Sequence, residues 1–129
     1  MTRSKLTILA AMTLVGSACG SSTDYGSSGN PPPPTADVLI VVNASGKGAQ
    51  AFNPNPYSVS LGAGPSVSVK WGNADATTHH VVADGANPLF NSGNMAGGST
   101  YTFSFTATGT FTYHCSIHPL MVGTIQITP

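Results

Sequence analysis

Towards the C-terminus the chain reads Tyr113-His114-Cys115-Ser116-Ile117-His118-Pro119-Leu120-Met121, which spaces a thiol, an imidazole and a thioether three residues apart. A strand ending at Cys115, followed by a compact turn helped by Pro119, can bring all three side chains around one point. Soft sulfur donors favour Cu(I), while imidazole nitrogen serves both Cu(I) and Cu(II). A thiolate and two imidazoles in a trigonal plane, with a weak axial thioether, therefore suit a copper ion that cycles between the two states. Zinc is the competing reading, but structural zinc sites close a tetrahedron of Cys, His and carboxylate, in which methionine is a poor partner. The plane still lacks a second imidazole. His79 and His80 are the candidates, and strand alternation puts them on opposite faces, so at most one can be a ligand. Taken singly each residue has a blander reading: a solitary strand cysteine is usually a small buried apolar group, and a histidine beside a valine pair is usually packed or exposed.

The elements that must position these groups are written in period two. Val38 to Val42 reads as one strand, and Tyr57, Val59 and Leu61 as another. Val67, Val69 and Trp71 point one way while Ser66, Ser68 and Lys70 point the other. A short burst at His79 to Val82, then Tyr101, Phe103 and Phe105, then Phe111, Tyr113 and Cys115, and finally Ile125 and Ile127 continue the pattern. Fifteen glycines and ten prolines, with many Thr, Ser and Val, suit strands and turns and are poor in helix interiors. No segment has a convincing helical period. The expectation is an all-β Greek-key sandwich of seven to eight strands in two packed antiparallel sheets, with Met95 in its core.

Only 6% of the 129 residues are charged, four basic against four acidic and no glutamate, for a net charge of zero. That gives no electrostatic footprint for a polyphosphate, and nucleic acid is excluded as a partner class. At the N-terminus, Arg3 and Lys5 precede the apolar run Leu6 to Val15 and the small residues Gly16, Ser17 and Ala18. This pattern reads as a signal peptide over 1–18; the run is short of the about 20 apolar residues a membrane span needs. Cys19 follows directly, and the junction resembles a bacterial lipoprotein cleavage box, with Gly16 where such boxes usually carry Leu. That resemblance implies lipidation at Cys19 and a periplasmic or cell-surface lipoprotein held to a membrane by its lipid anchor only. Residues 19–36 are rich in Gly and Ser and end in Pro31 to Pro34, which reads as a tether. The folded domain is then 37–129. With Cys19 spent on the anchor, Cys115 is the domain's single thiol and no disulfide can staple it.

The residues Trp71, Asn73, Asp75, His79 and Val81, and then Gly109, Phe111, Tyr113, Cys115, His118, Met121 and Gly123, together resemble the small blue copper proteins, the cupredoxins such as plastocyanin and amicyanin. Their sequences carry W-x-N-x-D-x-x-x-H-x-V and G-x-(F/Y)-x-Y-x-C-x-x-H-x-x-M-x-G. The resemblance covers nearly all of 37–129. It implies His79, Cys115, His118 and Met121 as ligands of one copper ion, and leaves His80 as the outward neighbour of His79. The two residues between His118 and Met121 are closer to the amicyanin loop than to the longer plastocyanin one. At position 80 the family often has Asn, Thr or Ser, which hydrogen-bonds towards the cysteine loop; His80 departs from this. The roles of His80 and His114 stay open, with His114 read as a surface residue.

By the same resemblance the protein is not an enzyme but a monomeric one-electron carrier between a redox protein donor and acceptor, such as a cytochrome or dehydrogenase. His118, Pro119 and Leu120 would then form the docking patch. A copper-binding or copper-delivery protein of the envelope is the alternative; it would want an exposed, exchangeable site rich in Met and His. A multicopper enzyme would need more histidines than His80 and His114. Fold alone does not decide between these classes.

Overall fold

The computed structural model describes residues 30–129; the expected signal peptide 1–18, the lipidation site Cys19 and the tether as far as residue 29 lie outside the described residues. Alternating apolar and polar side chains form eight strands: β1 (Val38–Ile40), β2 (Phe52–Asn53), β3 (Tyr57–Ser60), β4 (Val67–Asn73), β5 (Val81–Ala83), β6 (Thr100–Phe105), β7 (Gly109–Cys115) and β8 (Val122–Thr128). Two short 3-10 turns, Ala44–Gly46 and Gly48–Ala51, lie between β1 and β2. No helix among the described residues is long and apolar enough to cross a membrane. The strands make two four-stranded sheets, ordered β2-β1-β4-β6 and β3-β8-β7-β5. The fold is the expected all-β sandwich.

Its core lies where the inner faces of the two sheets meet. Along β4, Val69 and Trp71 are buried while Ser68 and Lys70 are exposed, and along β7 Tyr113 and Cys115 are buried. Trp71 and Tyr113, from interior strands of opposite sheets, meet edge-on with ring centroids 5.7 Å apart. Phe90 stacks at a tilt on Trp71 at 5.2 Å, and Phe105 reaches Phe111 at 4.8 Å. Aromatic packing of this kind favours offset and edge-to-face pairs. Met95 is buried in the same cluster.

Three details differ from the sequence pattern. The sheets are mixed: β1 runs parallel to β4, and β3 parallel to β8. Each of these pairs is separated in sequence by strands of both sheets, so the chain returns in the same direction instead of by a hairpin. β1 stops at Ile40, short of Val42, because the chain leaves the extended conformation and turns through Asn43 at φ 58°. Residues 30–36, whose composition suggests a free tether, lie on the outer face of the first sheet, with Pro34 and Ala36 over Gly72.

Gly123 has a packing reason. It is the register partner of Tyr113 across β7 and β8, and a Cβ there would sit 2.2 Å from the Tyr113 Cζ. Gly123→Ala is therefore expected to cost on the order of 2 kcal/mol in denaturant unfolding, the scale of core overpacking. Gly46→Ala, with nothing within 4 Å of its Cβ, should stay within about 0.5 kcal/mol; equal losses would contradict the ring contact.

Candidate metal centre

Two stretches of chain converge at one end of the sandwich. β7 delivers Cys115 at its last residue, and a tight turn follows: the His118 amide donates to the Cys115 carbonyl at 3.1 Å and the Met121 amide to the His118 carbonyl at 2.9 Å. The Cys115 amide closes the loop on the Met121 carbonyl at 3.0 Å. The second stretch leaves β4 through Asn73 and Asp75 and brings up His79, which forms an isolated bridge with Met95 just ahead of β5. Reciprocal backbone hydrogen bonds of 3.1 and 2.7 Å fix that bridge.

The side chains meet accordingly. Cys115 Sγ lies 3.7 Å from His79 Nδ1 and 3.8 Å from His118 Nδ1, and the three ligand atoms all fall within 4.8 Å of one another. Cys115, His79 and Met121 are fully buried and His118 is half-buried. The spacing can be tested against coordination geometry. Bonds of about 2.0 Å to nitrogen and about 2.3 Å to sulfur, meeting at about 120°, separate N from S by about 3.7 Å, against about 3.5 Å for a tetrahedral angle. The observed distances fit the trigonal arrangement. With a soft sulfur, two imidazoles and a buried thioether in the same loop, the donor set fits copper.

The surroundings hold both partners of the thiol in place. His79 uses its other ring nitrogen, Nε2, against Asp75 Oδ2 at 3.0 Å, the carboxylate–histidine pairing that fixes a ligand's tautomer and ring orientation. Asp75 in turn accepts from the amides of Asn43 and Ala44 at 3.2 and 3.3 Å. Burial by itself raises the Asp75 carboxyl, but His79 and these amides more than offset it and hold it below its usual range. For His79 burial favours the neutral ring, yet Cys115 and Asp75 raise it overall. Burial also raises the Cys115 thiol; hydrogen bonds from His79, the His80 and His118 amides and the His118 ring overcome this and bring it from 9.0 down to about 6.

The outward residues resolve as well. The His80 side chain binds Asn91 Oδ1 instead of the cysteine loop. Its backbone makes the link to that loop: the His80 amide donates to Cys115 Sγ at 3.4 Å and its carbonyl accepts from Ser116 at 2.9 Å. His114 is half-buried and pairs with Asp84 Oδ1. Around His118 the surface is apolar: Leu120 is 77% exposed, with Ile117 and Val122 also exposed and Pro119 beside them. The carboxylate of Asp75 was visible in the sequence as part of a motif, but its role was not, because nothing in the spacing says that its oxygen reaches the far side of the His79 ring.

Residues 39–128 match the family of copper binding proteins of the plastocyanin/azurin type. Among solved structures, a purple cupredoxin from Nitrosopumilus maritimus superposes with TM-score 0.63 at 22% identity, over 73% of this chain and all of that one; it is a likeness of fold. A copper-containing nitrite reductase from Thermus scotoductus gives 0.55 at 26% identity over 77% of this chain, which spans only 23% of that enzyme. An amicyanin variant in its reduced Cu(I) form gives 0.52 at 26% identity, over 59% of this chain and 71% of that one.

The depressed thiol has a measurable consequence. In the apo-protein the thiolate absorbance should titrate with a midpoint near 6, well below the ordinary 9.0. The sign for stability follows: a thiol that ionises more readily folded than unfolded adds stability that is present above about 9 and fades as pH falls through about 6, while the raised His79 works in the opposite sense. A thiolate midpoint near 9 would mean that the imidazoles do not face the sulfur.

Proposed function

Because the chain belongs to the plastocyanin/azurin family of copper-binding proteins and has one copper ion as its cofactor, we propose that it is a one-electron carrier rather than an enzyme, with His79, Cys115, His118 and Met121 as the ligands. The observation that carries this reading is the buried Cys115 sulfur at 3.7 and 3.8 Å from two imidazole nitrogens. Bound there, copper supplies the Cu(I)/Cu(II) couple. The protein's part is to keep the ligands still. The carboxylate of Asp75 and the bridge to Met95 hold His79, and the turn hydrogen bonds hold Cys115 and His118. Little then has to rearrange when the charge on the site changes. Full burial of Cys115, His79 and Met121 keeps water from the donor atoms, and catalysis at a metal would need an open position. The other two histidines, which a multicopper enzyme would require as ligands, are engaged by Asn91 and Asp84.

His118 is the one member of the four that reaches the surface, and it does so beside Pro119 and the strongly exposed Leu120. This apolar rim is where a redox protein donor or acceptor docks, in the small, brief contact such encounters use. The carrier works as a monomer in the cell envelope, exported by 1–18 and held by lipid on Cys19.

Adding Cu(II) to the purified apo-protein should bind one ion per chain and give an intense blue thiolate band with a small copper hyperfine splitting. Cys115→Ser should bind without the blue band. A colourless or green tetragonal complex would overturn the carrier reading in favour of copper handling. For the rim, Leu120→Asp should slow electron self-exchange, followed by NMR line broadening of mixed oxidation states, by about tenfold, equivalent to ~1.4 kcal/mol, with the visible spectrum unchanged. An unaltered rate would place docking elsewhere.

A further inference from the structure

The segment before β1 is built into the same end of the molecule as the metal centre. Four consecutive prolines, Pro31 to Pro34, favour the polyproline II helix, whose three residues per turn put positions three apart on one side. Pro31 and Pro34 are the half-buried members of the run, and Pro32 and Pro33 are exposed. The inward pair rests on glycines. A Cβ at Gly72 would lie 2.6 Å from Pro34 Cγ, one at Gly97 would lie 3.1 Å from Pro31 Cγ, and one at Gly98 would lie 3.4 Å from Pro31 Cβ. Three residues without side chains thus make the seat, and side chains at Gly72 and Gly97 would crowd it. Below it, the Asp37 amide donates to the Lys70 carbonyl and the Lys70 amide to Asp37 Oδ2, at 2.9 and 2.8 Å, and anchor the strap's lower end. At its upper end Asn30 Oδ1 accepts from the Ala76 amide at 2.9 Å.

Those upper contacts fall on the turn that carries Asp75 and on Gly97 and Gly98, which pack against it. Asn73 Oδ1 accepts from the Asp75 amide, and Asn73 Nδ2 donates to the carbonyls of Thr77 and Met95. The Gly98 amide donates to the Asn73 carbonyl at 2.7 Å, and a Cβ at Gly97 would be 2.7 Å from the Asp75 carbonyl. Asn30 therefore holds the turn directly and Pro31 holds it through Gly97 and Gly98, while the Asp75 carboxylate faces inward to His79 Nε2. We propose that Asn30, Pro31 and Pro34 are positioning residues of the metal centre: the strap belongs to the folded unit and holds the Asn73–Ala76 turn so that the Asp75 carboxylate stays against the His79 ring. A run of prolines suits this task, since its backbone is already ordered before it docks and little freedom is lost in seating it.

The proposal rests on His79 being a ligand, but its first test does not need copper. In the full-length apo-protein, amide hydrogen exchange of Ala76, Asn43 and Ala44 should accelerate by about tenfold in Asn30→Ala and in the double variant Pro31→Gly/Pro34→Gly, with Ile125 in the core unchanged, as expected of local opening. Asn30→Asp, which keeps an acceptor oxygen, should restore protection at Ala76, and Pro32→Ala/Pro33→Ala should leave all these sites as they are. In the copper-loaded protein the first two variants should shift the reduction potential, and Pro32→Ala/Pro33→Ala should not. Unchanged exchange at Ala76 and Ala44 would overturn the proposal, and so would acceleration shared equally with Ile125, which would make the strap a general brace. Altered exchange in a protein that then fails to give the blue copper band would keep the strap's hold on the turn and sink the carrier reading instead.

Discussion

A buried sulfur tolerates ionisation only if nitrogen donors surround it, and the arrangement around Cys115 meets that condition from two directions at once. His118 comes from the same loop, and His79 and the His80 amide come from a stretch more than thirty residues earlier. Without that convergence the thiol would be an inert apolar group at the end of a strand. With it, the sulfur becomes a ligand whose partners are held at the separation a trigonal metal ion requires. Burial opposes the charge and hydrogen bonding restores it, and here hydrogen bonding prevails.

The sandwich can be understood as the means of bringing those two stretches together. The second sheet sets the ligands side by side, because β5, which His79 precedes, pairs with β7, which ends at Cys115; the first sheet supplies Asp75, which follows β4. The aromatic cluster of Trp71, Tyr113 and Phe90 joins the sheets below the site, and close packing makes such a core resist small displacements. Rigidity is useful to an ion that must change charge with little movement of its ligands. The same need explains why so many backbone groups near the site are spoken for, from the bridge of His79 with Met95 to the hydrogen bonds knitting Asn73 to its turn.

What the sequence discloses and what it hides divide along physical lines. Strand faces are local, so Val67, Val69 and Trp71, or Phe111, Tyr113 and Cys115, announce their alternation directly, and a ligand loop spaced in threes announces its chemistry. Pairing direction is not local. The parallel neighbours β1 with β4 and β3 with β8 depend on which sheet the intervening chain visits. β2, with two residues, is too short to carry a period. At position 80 the link to the cysteine loop is made by peptide groups, which every residue carries, so the residue type could not disclose it. The proline run was legible as stiff, but its seat was not: Gly72, Gly97 and Gly98 read as ordinary turn and strand glycines until something is found lying on them.

The strap also fixes where Asn30 lies relative to the two ends of the sandwich. Asn30 sits beside Ala76, at the rim from which the histidine and cysteine side chains are presented, whereas β8 runs away from that rim and Pro129 lies past its far end. Asn30 and Pro129 thus occupy opposite poles of the described domain. Cargo fused after Pro129 would trail behind, out of the path of an approaching molecule; the same cargo joined at Asn30 would stand beside the turn that carries Asp75.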